Sequence, residues 1–492
     1  MNRELKRRCR SVLRDAFGIP DYRPGQRAAA SCLLSGRDLL CILPTGAGKS
    51  LCWQLPAVVH EGLTIVVSPL IALMHDQVDG LRRRGIPAAA INSLMSHEER
   101  RTAEASVRRG ETRILLVSPE RLETRAFCDL CRDCPPWLVV VDEAHCIVQW
   151  GGDFRPAYSR IGDFLRQLPM RPVVCAMTAT ADEGMQRQIV SSLGMVFHKR
   201  VMLPVIRENL VYSVRTTTDT TRTILRLMQE NPCRTVVFCA TRQRTERLAQ
   251  ALSCEDVRAD CYHAGLDRGQ RLLAQERFRR GETQLLAATT AFGMGIDIPD
   301  IRRVIHDSPP ESITALAQES GRAGRDGKRA ECIVLFSPQE ALWRGGMVRA
   351  LHMATRWKPL THAKLMRESW KELRLLLRLL LTARCIPAGI AEAFGQRARP
   401  CGRCSACLNG PLARRAPDYK RMDEETLRLW LLSWQREALA RRCGVAEKQL
   451  ITDAQLQEMA RLQRLPDLED AQAREAMGRL LHAMRRSGSA KK

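Results

Sequence analysis

One hexapeptide constrains this chain more than any other feature: Thr45-Gly46-Ala47-Gly48-Lys49-Ser50, directly after the apolar run Leu39 to Leu43. A strand that feeds a glycine-rich turn and then a helix lets the backbone fold back tightly, so that its N–H groups converge on phosphate oxygens. Thr45, Gly46 and Gly48 would shape that cradle. Lys49 would reach the β and γ phosphates of a nucleotide, and the Ser50 hydroxyl would bind Mg²⁺. The strict motif has glycine where this chain has Leu43, so the match is to a shorter variant of the loop.

Such a loop belongs in a parallel sheet, and the surrounding sequence agrees. Short apolar runs recur at Leu63 to Ser68, Ile114 to Ser118, Leu138 to Val141 and Val173 to Met177. Each predicts a buried parallel strand, with helical sequence between. Each ends in a small or polar cluster: Ser68-Pro69, Ser118-Pro119, Asp142-Glu143 and Thr178-Ala179-Thr180. Ligands of open α/β sheets bind beyond the carboxyl ends of strands, where these clusters fall. After a short connection around Val201 to Asn209 the pattern returns in Thr235 to Phe238, Leu285 to Ala288, Arg303 to Ile305 and Cys332 to Phe336. The expected fold class is α/β. Two lobes with parallel sheets, 1–207 and 208–337, precede a helical subdomain at 338–410, a linker at 411–422 and a helical tail at 423–492.

Asp142 suits Mg²⁺ coordination, and Glu143 suits the positioning or deprotonation of an attacking water. An exposed acidic turn would look similar, but four apolar residues precede this pair and a phosphate loop lies upstream. The run Gln318-Glu319-Ser320-Gly321-Arg322-Ala323-Gly324-Arg325 presents Arg322 and Arg325 with small residues between. One of them would stabilise charge on a γ-phosphoryl group.

In this order the phosphate loop, Asp142-Glu143-Ala144-His145, the Thr178 to Thr180 segment and the paired arginines resemble the motifs of superfamily 2 helicases. Three segments narrow the resemblance to the RecQ family. The first is Phe17-Gly18-Ile19-Pro20-Asp21-Tyr22-Arg23-Pro24-Gly25-Gln26, which in that family grips adenine; Arg23 and Gln26 would read or stack on the base. The family usually has an aromatic residue or histidine at Ile19. The second, Ala144 to Tyr158, resembles the aromatic-rich loop that senses single-stranded DNA. Trp150 and Phe154 would stack on bases, each stack being worth about 1–3 kcal/mol, and Arg155 would contact phosphate or a base face. Val148 and Gly152 depart from the family's serine and histidine. The third, Ala287 to Asp297, resembles helicase motif V, where Asp297 links DNA and nucleotide sites. Ser68-Pro69-Leu70 with Asp76-Gln77 resembles a DNA-contacting segment of the first lobe. Thr241 and Arg242 open a helix whose N-terminus would bind a DNA phosphate. The resemblance covers about the first 340 residues. It implies two RecA-like lobes that close on ATP and a 3′-to-5′ motor on single-stranded and forked duplex DNA, serving repair or recombination.

Cys385 and the run Cys401-x-x-Cys404-x-x-Cys407 have spacing that lets thiolates converge on one tetrahedral ion, and they resemble the RecQ zinc subdomain. A second run, Cys128-x-x-Cys131-x-x-Cys134, has no obvious fourth ligand and is read as reduced and structural. Too few residues separate the zinc loop from the following helices for a winged-helix domain. The tail, with Leu432, Trp434, Glu437 and Ala438 on one helix and a cap at Thr452 or Asp453 on the next, resembles a shortened HRDC module.

Composition agrees with a polyanionic partner. Lys and Arg number 78 against 54 Asp and Glu, a formal net charge of +24. The N-terminus is polar and basic, and no stretch approaches the roughly 18 apolar residues of a membrane span. An intracellular protein with mostly reduced cysteines is expected. Two other readings stay open: a DNA-stimulated translocase that unwinds poorly, and a zinc-stapled DNA-binding module without catalysis.

Overall fold

Thirteen strands among the described residues form two wholly parallel sheets. The first contains β1 (Leu39–Ile42), β2 (Thr64–Val67), β3 (Ala88–Ile91), β4 (Ile114–Val117), β5 (Leu138–Val141), β6 (Val173–Thr178) and β7 (Lys199–Met202), in the order β3-β4-β2-β5-β6-β1-β7. The second contains β8 (Leu210–Thr216), β9 (Thr235–Phe238), β10 (Ala259–Tyr262), β11 (Leu285–Ala288), β12 (Arg303–His306) and β13 (Ala330–Phe336), in the order β10-β11-β9-β12-β13-β8. This computed structural model describes residues 3–69, 71–148, 156–217, 219–292, 298–336, 359–410 and 451–462, with isolated positions between 429 and 478.

The chain divides into two units. One is Met1–Arg207 with a return at Ala393–Gln396, where Gln396 accepts from Val205 N–H at 2.9 Å and donates to Leu203 O at 3.2 Å. The other comprises Glu208–Phe292, Ile298–Glu392 and Arg397–Lys492.

Every apolar run named above forms a strand, because a strand covered by helices on both faces has no polar face to show. β1, β2, β4 and β5 are buried at all four positions. Four more strands, β3, β7, β8 and β10, lie at the sheet edges and fall outside the runs named above. The expected connection around Val201 to Asn209 is therefore shorter than its sequence suggests, since β7 occupies Lys199–Met202 and β8 starts at Leu210. A buried carboxylate ties the amino ends of the first sheet together. Asp38 accepts from Val174 N–H at 2.9 Å, from Val196 N–H at 2.8 Å and from Arg171 at 2.5 Å.

The Leu-rich stretch expected at Ala363 to Ala383 is the helix Pro359–Thr382, followed by Ile386–Ala393 and Ser405–Asn409. The last of these sits on the outer edge of β8, where Val214 N–H donates to Ser405 Oγ at 3.0 Å. That contact satisfies a group that an edge strand would otherwise leave to water. In the tail, Thr452 rather than Asp453 caps the helix Asp453–Leu462. Its hydroxyl accepts from Gln455 N–H at 3.2 Å, while its own N–H donates to the Gln455 side chain at 2.8 Å. Asp453 instead pairs with the buried Arg436 at 2.7 Å. The linker 411–422 lies outside the described residues. No helix among the described residues is long and apolar enough to cross a membrane.

Candidate active site

Strands β5, β6 and β1 are consecutive in the first sheet, and each carries one candidate element at its carboxyl end. With about 4.8 Å between neighbouring strands, the phosphate loop after β1 and the acidic pair after β5 start roughly 10 Å apart. The Thr178 to Thr180 segment lies between them, and the β1–β6 ladder runs up to the loop through Leu43 N–H to Thr178 O at 3.1 Å.

The loop turns through two left-handed glycines, Gly46 at φ +84° and Gly48 at φ +77°. The helix Lys49–His60 starts at once, so Lys49 and Ser50 occupy its first turn, where free N–H groups and the helix dipole favour an anion. Gln26, almost wholly buried, braces the loop from behind. Its Nε2 donates to Gly48 O at 3.0 Å, and its Oε1 accepts from Arg23 N–H at 2.8 Å. Arg23 Nη1 donates to Gly46 O at 3.0 Å. Arg23 and Gln26 thus hold the loop carbonyls, a task their spacing from the motif gave no means to foresee.

At the end of β5, Asp142 N–H completes the ladder to Val67 O at 2.9 Å, and the Asp142 side chain accepts from Glu143 N–H at 3.0 Å. Burial pushes the Asp142 carboxyl up to about 6, the Glu143 charge adds to this, and Lys49 opposes it. Glu143 itself has φ +48°, a sparsely populated conformation for a residue with a Cβ. His145 faces both the acidic pair and β6, with Nδ1 3.3 Å from Glu143 Oε2 and 3.1 Å from Thr178 Oγ1. Burial works against a charged ring, but bonds to Cys146 and Glu143 outweigh it and His145 is pushed up to about 10. The Thr178 hydroxyl donates onward to Thr180 O at 3.0 Å. His145 and Thr178 therefore join the acidic pair to the neighbouring strand by direct contacts.

Further along the same sheet edge, Ser68 and Ser118 carry buried hydroxyl oxygens with no partner among the described residues. Leu70 lies outside the described residues, as do Trp150, Phe154, Arg155 and Asp297.

In the second unit, Thr241 caps the helix Arg242–Ser253, its hydroxyl accepting from Arg244 N–H at 3.2 Å. The arginine run forms a turn between the helix Ile313–Ser320 and β13. Asn209 holds that turn by donating to Gly324 O and Lys328 O, both at 2.8 Å. Gly324 has φ +55°, and a Cβ there would lie 2.5 Å from Asn209 Nδ2. Arg322 is mostly buried, with its guanidinium 6.0 Å from the centre of the Phe238 ring. Phe238 stacks on His306 at 5.8 Å, and His306 Nε2 is 2.8 Å from Glu319 Oε2. Asn209 carries no motif that sequence reading could have flagged.

The four cysteines expected to gather do so. The Sγ atoms of Cys385, Cys401, Cys404 and Cys407 all lie within 4.8 Å of one another. Cys401 Sγ and Cys407 Sγ are 3.9 Å apart. Four thiolates about 2.3 Å from one tetrahedral ion would be about 3.8 Å apart, so the cluster fits a metal of that kind. Three backbone N–H groups point at the sulfurs: Cys401 N at Cys385, Cys404 N at Cys401 and Ile386 N at Cys404, at 3.2–3.4 Å. The other cysteine run behaves differently. Cys131 is buried in the core of the first unit and burial pushes its thiol up to about 12, while Cys128 and Cys134 donate to Leu122 O and Val107 O. No other metal-type grouping occurs among the described residues.

The comparisons with known proteins follow the same outline. The DEAD/DEAH box helicase family matches residues 23–188, and the helicase conserved C-terminal domain matches residues 218–327. The ATP-dependent DNA helicase RecQ of Bacillus subtilis is 38% identical over 405 residues, covering 82% of this chain and 67% of its own length. That of Pasteurella multocida is 37% identical, over 83% of this chain and 63% of its own length. That of Synechocystis is 34% identical, over 81% of this chain and 98% of its own length. The chain thus spans about two thirds of the first two relatives. Among solved structures, the DUF1998 helicase MrfA bound to DNA aligns with a TM-score of 0.58 at 18% identity, covering 75% of this chain and 55% of its own. The Mycobacterium smegmatis helicase Lhr aligns with a TM-score of 0.57 at 18% identity, covering 92% and 73%. At that identity they share the fold. Identity of 34–38% over more than four fifths of the chain supplies the rest: this chain belongs to the RecQ family of ATP-dependent DNA helicases.

Proposed function

We propose that this protein couples ATP hydrolysis to 3′-to-5′ translocation on single-stranded DNA and to the separation of forked duplexes. The observation that carries this reading is the set of three adjacent strand ends bearing a phosphate cradle, a threonine relay and an Asp-Glu pair. In this reading Lys49 and the loop N–H groups bind the β and γ phosphates, and Ser50 with Asp142 would hold Mg²⁺, which neutralises charge on the phosphates. Glu143 orients the attacking water. His145, kept cationic beside it, fixes the Glu143 carboxylate and ties its position to Thr178. Family resemblance assigns Arg322 and Arg325 to the γ-phosphoryl group and Arg23 and Gln26 to the base. It assigns Trp150, Phe154, Arg155 and Thr241 to the DNA strand.

Cys385, Cys401, Cys404 and Cys407 would hold Zn²⁺ as a structural staple. The ion supplies no chemistry to hydrolysis. It would fix the helix Ser405–Asn409 against β8, where Ser405 caps the sheet edge.

ATP turnover with and without single-stranded DNA tests the assignment. Lys49→Ala and Glu143→Gln are each expected to lower DNA-stimulated turnover by about 10²–10⁴-fold. Unchanged turnover in either variant would show that the site is misassigned. Strand displacement on 3′-tailed and 5′-tailed duplexes then tests polarity, with displacement expected on the 3′-tailed substrate alone. Turnover without displacement on either would leave a translocase.

A further inference from the structure

The N-terminal helix Arg3–Asp15 carries a feature that ATP hydrolysis does not use. At 100° per residue, Arg3, Arg7, Arg10 and Arg14 fall within an arc of about 60° and a length of about 16 Å. All four are exposed. The opposite face is apolar: Cys9 and Leu13 are buried against Leu51, Leu55 and Val59 of the helix Lys49–His60, so the arginines stand on a firm wall of the first unit.

The stripe is electrostatically unbalanced. Several exposed helical arginines elsewhere sit on a carboxylate three or four residues away, as Arg132 on Asp129, Arg166 on Asp163 and Arg280 on Glu276. Within the stripe only Arg7 has such a neighbour, Glu4, and no ion pair joins them among the described residues. Among the described residues the one ion pair of this helix, Arg8 with Glu61, lies off the stripe. Arg3 with Arg7, Arg10 with Arg14, and Lys6 with Arg10 are like-charged at i, i+4, an arrangement that destabilises a helix unless a polyanion offsets it. A row of four arginines along about 16 Å of helix suits a partner that carries a continuous line of negative charge, as a DNA strand does with one phosphate per about 3.4 Å of its axis.

We infer that the face Arg3/Arg7/Arg10/Arg14 is a DNA-backbone contact surface, separate from the motif segments, that supplies sequence-independent affinity. This inference rests on the reading of the chain as a DNA motor. Its test is the salt dependence of binding to a fluorescent 3′-tailed duplex between 50 and 200 mM KCl, as is usual for phosphate contacts. Each lost contact removes about 0.7–0.9 from the slope of log K against log salt, so the Arg3/Arg7/Arg10/Arg14→Gln variant should bind with a slope smaller by about 3. Its maximal DNA-stimulated turnover should equal wild type, and the DNA concentration for half-stimulation should rise at least about tenfold over the same salt range. The corresponding quadruple Lys variant should keep the wild-type slope. Should the Gln variant fold poorly, the pairs Arg3/Arg7→Gln and Arg10/Arg14→Gln carry the test with about half the effect each. A slope unchanged from wild type overturns the inference while leaving the motor reading intact. Loss of sedimentation with phosphatidylserine vesicles together with an unchanged DNA slope would overturn it in favour of a lipid surface. Wild-type protein that fails to bind DNA at any salt sinks the motor reading itself.

Discussion

A Cβ placed on Gly48 would lie 2.5 Å from Gln26 Nε2, and the residue would have to hold φ +77°. Gly48→Ala therefore has to push Gln26 off the loop or straighten the turn, and either moves the loop N–H groups assigned above to phosphate. A misplacement of about 1 Å costs about 10²-fold in turnover, so that loss is expected with little change in Tm. Gln26→Ala removes the brace without adding bulk. It should weaken ATP binding and leave an adenine-free triphosphate analogue equally weakened, because the amide contacts Gly48 O. If only adenine nucleotides suffer, the base-reading role that the resemblance assigns is the dominant one. Cys131 is expected to resist alkylation in the native protein at pH 8 and to react on unfolding, because burial holds its thiol near 12. Rapid native labelling would contradict its place in the core.

Elements differ in how far their sequence announces them. Strands buried on both faces must be apolar throughout, so β5 reads as Leu-Val-Val-Val and is unmistakable. Edge strands are freed from that demand. β7 is exposed at three of four positions, β10 is half-buried throughout, β3 is three alanines and an isoleucine, and β8 alternates. β7, β8 and β10 escape a search for apolar runs for that reason, whereas β3 is buried at all four positions and goes unnoticed because alanine is a poor strand former. The metal-type cluster was legible because cysteine spacing encodes convergence directly. The brackets formed by Gln26, Asn209 and Asp38 were not, because each joins residues far apart in sequence through ordinary polar side chains. Asn209→Ala removes both bonds and should cost about 0.5–1.5 kcal/mol, the net worth of an ordinary hydrogen bond, because Gly324 O keeps the Gly327 N–H and the exposed Lys328 carbonyl turns to water; it should also slow turnover by loosening the Arg322 turn. Chemical denaturation measures the first effect and ATPase kinetics the second. Cys404→Ser, at a fully buried position, should reduce zinc content by metal analysis and lower Tm, since binding energy at such a site is folding energy. Replacing Cys128 and Cys134 with Ser should leave zinc content unchanged.

For the whole molecule, one parallel sheet bears the glycine-rich loop and the acidic pair and the other the braced arginine turn. The excess of 24 positive charges suits a partner that is itself a polyanion, and the arginine row of the N-terminal helix gives part of that charge a definite place. The central claim, that this chain burns ATP in response to DNA, is tested most directly by steady-state ATP turnover of the purified protein with and without single-stranded DNA, beside Lys49→Ala. Turnover that rises sharply with DNA in the wild type and is abolished in the variant is the predicted result. Absence of turnover under both conditions, or equal turnover by the Lys49→Ala protein, would contradict it.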